Sequence, residues 1–322
     1  MKNFAYVKAG SLEEAIQALS IKGARLHAGG TDLLGCLRDE IMQVEKVVSV
    51  SSLKELRGIS AMAGGSLKIG ALAVLADVAA NSSVAGKYPV LAQAAASVGT
   101  PQIRQQGTIG GNLCQRPRCW FFRSDLHCLK KGGDTCYGMN GDNQYHAILG
   151  GGPCFAVHPS DVAVALVALQ ALLTIAGPSG SRVVKAENFF IDPGKGLEKE
   201  NILVQGEILT AIQIPPVSGK AKSSYRKVRT RGSWDFAQAS VAAVLLFEDD
   251  IVRAARIVLG GVAPKPWQAE AAGKLLIGKK VDAALAAAVA DAAVAGANPL
   301  KDNGYKVDMV KGAVEESIAA FI

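Results

Sequence analysis

Two glycine turns stand out in this sequence: Ala28-Gly-Gly-Thr-Asp-Leu-Leu34 and Thr108-Ile-Gly-Gly-Asn-Leu113. Paired glycines let a backbone approach a ligand closely, because no Cβ stands in the way and the N–H groups are exposed to an anion such as a diphosphate. Either turn alone fits a purely structural role equally well. Neither has the Gly-x-Gly-x-x-Gly spacing or the phosphate-loop pattern, so a Rossmann fold or a nucleotide triphosphatase is not indicated.

The order of predicted elements divides the chain into three segments. Residues 1–56 are predicted to form a small α+β unit, in which Ser11 and Glu14 make a capping-box pattern at the start of a short helix. Residues 57–218 alternate strands and helices and end at two successive prolines, which terminate a strand. Residues 219–322 begin with two strand-like runs of antiparallel type and continue as helices.

A cysteine-rich segment interrupts the second unit. Residues 113–157, here called the cysteine insert, show little periodicity, and an irregular stretch of this length inside a compact domain is usually functional. The chain has six cysteines and five lie in this insert. Without a secretion signal, such a cluster indicates a metal site rather than disulfides. The predicted ligands are Cys119, Cys128, Cys136 and Cys154.

The spacing of these thiols favours an iron–sulfur cluster. It reads Cys-x8-Cys-x7-Cys-x17-Cys and lacks the Cys-x2-Cys pairs of structural zinc sites, although zinc stays open as an alternative. Cys114 follows the second glycine turn directly and is predicted to be buried, and Cys36 is predicted to pack in a core. His127 adjoins Cys128 and could replace one thiolate. Basic side chains of the insert would offset the negative charge of a cluster: Arg116, Arg118, Arg123, Lys130 and Lys131.

Composition argues against several classes of protein. The net charge is +7 with no polybasic run, so nucleic-acid binding is not expected. The most apolar stretch, residues 162–177, is interrupted by Gln170 and is too short for a membrane span. The N-terminus lacks the apolar core of a signal peptide, so the expected location is cytoplasmic.

Together the two turns resemble the diphosphate-binding turns of the FAD subunits of molybdenum hydroxylases. That group includes the xanthine dehydrogenase, carbon monoxide dehydrogenase and 4-hydroxybenzoyl-CoA reductase families. The resemblance covers essentially the whole chain, in order. Further matching segments are Thr100-Pro-Gln-Ile-Arg104, Ser160-Asp161, Glu207-Ile-Leu-Thr-Ala-Ile-Gln-Ile-Pro215, Tyr225-Arg-Lys-Val228, Asp235-Phe-Ala237 and Gly260-Gly-Val-Ala-Pro264.

This resemblance implies a fold and a cofactor. The implied fold is α+β: a two-lobed FAD-binding domain of the vanillyl-alcohol-oxidase type, followed by a C-terminal antiparallel sheet with helices. The implied FAD contacts are Ala28, Gly29, Gly30, Thr31, Asp32, Leu33, Leu34, Thr108, Ile109, Gly110, Gly111, Asn112, Asp161, Leu209 and Lys227. For three of them a structural role is the alternative: Asp161 could be a plain helix cap, Leu209 a core residue and Lys227 a solvated lysine.

The cysteine insert carries a second resemblance. Simpler FAD subunits pass almost directly from the second glycine turn to the Ser-Asp helix. The insert resembles that of 4-hydroxybenzoyl-CoA reductase and of bacterial aldehyde oxidoreductases, where four cysteines bind a [4Fe–4S] cluster. The segments that carry it are Cys119-Trp-Phe-Phe-Arg123 and Tyr145-His-Ala-Ile-Leu149 through His158-Pro-Ser-Asp161. It implies that Cys119, Cys128, Cys136 and Cys154 ligate one such cluster.

The resemblance implies an electron-transfer subunit that passes electrons between iron–sulfur clusters and an external acceptor through FAD. Because no molybdopterin signature or plant-type ferredoxin pattern is present, the expected partners are a molybdopterin-containing large subunit and a [2Fe–2S] small subunit. Export to the periplasm with a signal-bearing partner is the alternative to a cytoplasmic location. A stand-alone FAD-dependent oxidase and a zinc-binding scaffold are the rival functions.

Overall fold

The computed structural model describes residues 1–217 and 219–322, so the predicted boundary at residue 218 lies outside the described residues. The N-terminal lobe is a parallel sheet in the order β1-β3-β2, and its first helix packs against β2 and β3. Ser11 caps the first helix, since its Oγ accepts a hydrogen bond from the N–H of Glu14 at 3.2 Å. The elements are β1 (Ala5–Lys8), α1 (Leu12–Leu19), β2 (Ala24–His27), α2 (Leu33–Arg38) and β3 (Lys46–Ser49).

The second lobe contains an antiparallel sheet in the order β4-β5-β8-β6-β7, so its strands come from both sides of the cysteine insert. The strands are β4 (Ile59–Ala61), β5 (Leu67–Gly70), β6 (Leu172–Gly177), β7 (Gly180–Lys185) and β8 (Ile208–Ile214). The helices are α3 (Leu75–Ala80), α4 (Ser82–Lys87), α5 (Pro89–Ala96), α6 (Pro101–Gln106), α7 (Ile109–Leu113), α8 (Tyr137–Asn140) and α9 (Asp161–Ala168).

The C-terminal lobe is an antiparallel sheet covered by helices. Its strands run in the order β12-β11-β10-β9. Successive side chains of β10 point to opposite faces of the sheet and enter two different cores. Val241 and Ala243 pack against the C-terminal helices, whereas Ala242 packs against the second lobe. The elements are β9 (Lys220–Val228), β10 (Ala239–Glu248), β11 (Ile251–Gly260), β12 (Trp267–Gln268), α10 (Glu270–Leu276), α11 (Ala283–Ala293) and α12 (Tyr305–Ala319).

The cysteine insert is irregular, as its sequence predicts, and is anchored by tertiary contacts. Besides α8, most of it runs as turns and loops between α7 and α9. Ile148 and Leu149 are buried in the C-terminal core, and their N–H groups donate to the carbonyl of Val262 at 2.9 and 3.1 Å. Lys306 of α12 is fully buried and donates to the carbonyl of His146 at 3.1 Å. The C-terminal lobe therefore supports the distal end of the insert.

This architecture confirms the predicted fold class, with mixed helix and sheet in the first part and an antiparallel sheet with helices at the C-terminus. Within residues 1–217 and 219–322, every helix is too short or too polar to cross a membrane.

Candidate functional site

The first glycine turn joins β2 to α2 and packs against the residues that precede the second glycine turn. A Cβ at Gly29 would overlap the carbonyl oxygen of Gln106. Gly30 has φ +73°, a left-handed conformation that favours glycine, and a Cβ there would lie 2.8 Å from Nε2 of His27. Both glycines are therefore required by the fold itself as well as suited to a ligand.

The second glycine turn is the start of a short helix rather than a simple turn. Thr108 caps α7, since its Oγ1 accepts from the N–H of Gly111 at 3.1 Å. A Cβ at Gly110 would lie 2.9 Å from the carbonyl oxygen of Ala71, so this glycine allows close backbone packing. At Gly111 the nearest atom to a Cβ is Oγ1 of Thr108, at 3.0 Å, and the residue faces a cavity.

Both turns line one cleft, which consists of two adjoining cavities of about 270 and 260 Å³. Thr31, Asp32, Thr108 and Gly111 border both cavities, so the turns lie at its middle. The predicted contacts that line the cleft are Ala28, Gly29, Gly30, Thr31, Asp32, Leu33, Thr108, Gly110, Gly111, Asn112, Asp161, Leu209 and Lys227.

Two predicted contacts lie elsewhere among the described residues. Leu34 is exposed on α2, and Ile109 is fully buried in the core of the second lobe. The N–H of Ile109 donates to the carbonyl of Ala73 at 2.9 Å, so its backbone is already committed within the fold. A role for either residue in cofactor binding stays a prediction.

A buried ion pair forms part of the cleft wall. The ammonium of Lys227 lies 2.7 Å from Oδ2 of Asp161, and both side chains are 4% exposed. Tyr225 donates its hydroxyl to Oδ1 of Asp161 at 2.5 Å, and burial, followed by this carboxylate, raises the pKa of Tyr225 well above its ordinary value. Lys227 is thus no solvated strand lysine, and Asp161 is not a plain helix cap, because Ser160 caps α9 and the carboxylate of Asp161 pairs with Lys227.

The cleft also has lining residues that sequence reasoning did not assign. They include Gln115 and Arg118 of the insert and Phe236 of the C-terminal lobe. The guanidinium of Arg118 lies over the ring of Phe236, 5.1 Å from its centroid, and its buried Nε–H has no partner among the described residues. The sequence predicted for Arg118 only a role in offsetting the charge of a cluster, not a place in the cleft, whereas Phe236 falls in the matching segment Asp235-Phe-Ala237 and could have been named.

The four predicted metal ligands meet at a second site. Cys119, Cys128, Cys136 and Cys154 line one small cavity inside the cysteine insert, here called the thiol cavity. Burial raises the pKa of Cys119, and the neighbouring thiols of Cys128 and Cys136 add to the rise. The same two causes act on Cys154, whose pKa burial raises to about 11. The thiols therefore lie close enough to interact electrostatically.

The four cysteines line one cavity, but the described side chains form no site for a single metal ion. Among residues 1–217 and 219–322, no three His, Cys, Asp or Glu side chains converge on a position for one metal ion. A structural zinc ion needs such convergence, with Zn–S distances of about 2.3 Å. A cubane cluster instead places its cysteine ligands around a larger body, and four thiolates are its usual ligand set. Ligation of a [4Fe–4S] cluster by these four cysteines stays a prediction.

A histidine also contacts the thiol cavity, but it is not His127. His127 is exposed, whereas Nε2 of His146 lies 3.3 Å from Sγ of Cys119. His146 falls in the matching segment Tyr145-His-Ala-Ile-Leu149 and could have been named, but its contact with Cys119, 27 residues earlier, has no local signal. The remaining cysteines lie outside the thiol cavity: Cys114 lines the cleft, where burial raises its pKa to about 12, and Cys36 is fully buried under the insert.

A larger cavity of about 390 Å³ lies between the two sites. It borders Cys119 and His146 of the thiol cavity and also Arg118 and Asp161 of the cleft. Trp120, Tyr145 and Phe236 contribute aromatic surface to its wall. The thiol cavity and the cleft are therefore neighbours through a shared set of side chains.

Comparison with known proteins agrees with this geometry. Residues 2–217 match the family described as FAD binding domain in molybdopterin dehydrogenase, and residues 207–318 match the CO dehydrogenase flavoprotein C-terminal domain. The chain belongs to the FAD-binding subunits of the molybdopterin dehydrogenase family. Its relatives are subunits of oxidoreductases, and the recognition made from the glycine turns is confirmed.

The relatives cover the whole chain. The aldehyde oxidoreductase FAD-binding subunit PaoB of Escherichia coli (strain K12) is 37% identical over 99% of this chain and 98% of its own length. The glyceraldehyde dehydrogenase medium chain of Sulfolobus acidocaldarius is 30% identical over 96% of this chain and 94% of its own. A structure of carbon monoxide dehydrogenase from Hydrogenophaga pseudoflava superposes with a TM-score of 0.79 at 28% identity and covers 99% of this chain and 98% of that one.

Proposed function

We propose that this FAD subunit relays electrons between iron–sulfur clusters and an external acceptor within a molybdenum hydroxylase complex. The observation that carries the proposal is the adjacency of the two sites, because one cavity borders both the thiols and the cleft. Bound FAD supplies the exchange between one-electron carriers and a two-electron acceptor.

The cleft suits a dinucleotide. Its glycine turns lie at the middle, where the two cavities share Thr31, Asp32, Thr108 and Gly111, so a diphosphate there would leave one nucleoside half on each side. Leu209 would border one half, and the pair Asp161–Lys227 the other. Arg118 and Phe236, which stack on each other in the cleft wall, would border the same half of the cofactor.

The thiol cavity suits a [4Fe–4S] cluster ligated by Cys119, Cys128, Cys136 and Cys154. Such a cluster with four thiolates is anionic, and Lys130 lies close enough to lower the pKa of Cys154 in opposition to its burial. The ammonium of Lys130 is itself held by Oε1 of Glu200 at 2.8 Å. The chain thus holds a positive charge at a fixed position beside the thiols.

The chain requires partners for substrate chemistry. We propose a molybdopterin-containing large subunit and a [2Fe–2S] small subunit, because related proteins are named as medium chains or subunits. The complex is expected in the cytoplasm, and fractionation of cells with sequencing of the partner's N-terminus distinguishes this from co-export to the periplasm.

The test is anaerobic reduction of the purified complex. Because two relatives are named as aldehyde enzymes, an aldehyde is the first probe substrate. We expect the flavin absorption of this subunit to bleach when aldehyde is added to the complex, and to stay unchanged when it is added to the isolated chain. Turnover by the isolated chain would instead support a stand-alone oxidase. Bound zinc without visible absorption would support a scaffold protein.

A further inference from the structure

The side chain of Asp32 connects the two cofactor sites. Asp32 belongs to the first glycine turn, but its carboxylate faces the cysteine insert. Oδ1 lies 2.7 Å from Nη2 of Arg123 and 2.8 Å from Nη1 of Arg118. Oδ2 accepts from the backbone N–H of Arg116 at 2.7 Å. Charge-assisted hydrogen bonds of this length are among the stronger ones in proteins, and Asp32 is 17% exposed.

These contacts reach the segment that carries Cys119. Arg123 donates through Nε to the carbonyl of Pro117 at 2.8 Å, and its N–H donates to the carbonyl of Cys119 at 2.9 Å. The same guanidinium donates to Sγ of Cys36 on α2 at 2.8 Å. The guanidinium of Arg123 therefore closes the loop that presents Cys119 and fastens it to the glycine-turn helix.

A second carboxylate extends the network to Cys128. Glu200 is buried, with one oxygen 2.6 Å from Nε of Arg116 and the other 2.8 Å from Nζ of Lys130. Lys130 follows Cys128 by two residues, and its Nζ also donates to the carbonyl of Leu197 at 2.9 Å. Through Arg116, the contacts of Asp32 thus continue to the part of the insert that carries a second thiol.

We infer that Asp32 is a positioning residue that couples occupation of the FAD cleft to occupation of the thiol cavity. The inference rests on the proposed function, because it requires both cofactors. FAD bound at the glycine turns would hold residues 29–32 in place, and Asp32 would then hold the Cys119 segment in position for a cluster. Because binding coupling is reciprocal, a loaded cluster must tighten FAD binding by the same factor.

The experiment is a double-mutant cycle on the full chain, read as the Kd of FAD from quenching of flavin fluorescence. The four proteins are wild type, Cys128→Ser, Asp32→Asn and the double variant. We expect loss of the cluster in Cys128→Ser to weaken FAD binding at least about fivefold in the wild-type background. In the Asp32→Asn background the same change should alter the Kd of FAD less than about twofold.

Two controls keep the test decisive. Asp39→Asn makes the same chemical change at the other end of α2, where the partner of the carboxylate is Arg38. In this background Cys128→Ser should change the Kd of FAD by the same factor as in the wild type. Arg123→Gln breaks the connection from the insert side and leaves the glycine turn intact, so it replaces Asp32→Asn if that variant does not fold.

The possible outcomes separate this inference from the proposed function. The coupling is overturned if Cys128→Ser changes the Kd of FAD by the wild-type factor in the Asp32→Asn background, or in the Arg123→Gln background that replaces it. It is also overturned if wild type and Cys128→Ser have equal Kd values, although the chain still carries both cofactors. A wild-type chain that binds FAD but no iron would overturn the proposed cluster and the coupling together.

Discussion

Asp161 and Lys227 form a buried ion pair, with 2.7 Å between Oδ2 and Nζ, across the junction of the second and C-terminal lobes. Asp161 begins α9, and Lys227 comes from β9, so the pair joins the two parts of the chain at the wall of the cleft. Removing one partner would leave an uncompensated buried charge, which is a strongly destabilising change.

Lys227→Met is therefore expected to lower the free energy of unfolding by about 3–5 kcal/mol. The matched control is Arg253→Met, which breaks the exposed pair between Arg253 and Glu248 and should cost about 0–1 kcal/mol. Urea unfolding of the FAD-free chain measures both changes without a contribution from the cofactor. Similar losses in the two variants would show that the Asp161–Lys227 pair is not buried as described.

Gly111→Val should weaken FAD binding at least about tenfold, equivalent to about 1.4 kcal/mol. The added side chain would enter the cleft at the shared border of its two cavities. Gly30→Val should weaken binding as well, but its φ of +73° makes that variant strained, so it should also unfold more easily. Gly312→Val on α12 adds the same side chain in open space and should retain FAD. Full flavin content in a folded Gly111→Val protein would contradict the placement.

Cys→Ser changes at positions 119, 128, 136 and 154 should each reduce cluster content, because each removes a thiolate from the thiol cavity. Cys114→Ser is the matched control, since its thiol is shielded from solvent yet lies outside that cavity. Iron and sulfide analysis with low-temperature electron paramagnetic resonance provides the readout. An intact cluster in Cys128→Ser, or its loss in Cys114→Ser, would overturn the ligand set.

Lys306 should make stability depend on pH. Burial lowers its pKa from 10.5 to about 7 in the folded chain. Between these values the unfolded chain holds the proton and the folded chain does not, so the free energy of unfolding should rise as pH increases from about 7 towards 10. Lys306→Met should abolish this rise, whereas Lys311→Met, at a partly exposed site on the same helix, should retain it. Urea unfolding at several pH values tests the difference, and equal slopes in the two variants would contradict it.

Local patterns were sufficient for the regular parts of the fold. The capping pattern at Ser11 predicted α1, and the hydroxyl of Ser160 caps α9 by accepting from the N–H of Ala163 at 3.0 Å. Alternating apolar residues predicted β10 and β11, because one face of each strand must enter a core. The glycine turns were recognisable because glycine is required where backbones approach closely.

The cysteine insert shows what local patterns cannot predict. Its conformation depends on contacts between residues far apart in sequence, such as Asp32 with Arg123 and His146 with Lys306. No helical or strand periodicity encodes such pairs. The number of cysteines therefore predicted a metal site, but not which residues surround it. For the same reason the position of Arg118 in the cleft and of His146 beside Cys119 is known only from the folded chain.

We propose that this subunit carries FAD and a [4Fe–4S] cluster side by side. The most direct measurement quantifies FAD, iron and acid-labile sulfide in one sample of the purified chain, together with its visible spectrum. We expect flavin bands over a broad brown absorption, with iron and sulfide equal to each other and in fourfold excess over FAD, as one [4Fe–4S] cluster requires. Flavin bands with no iron or sulfide, or zinc in place of iron, would contradict it.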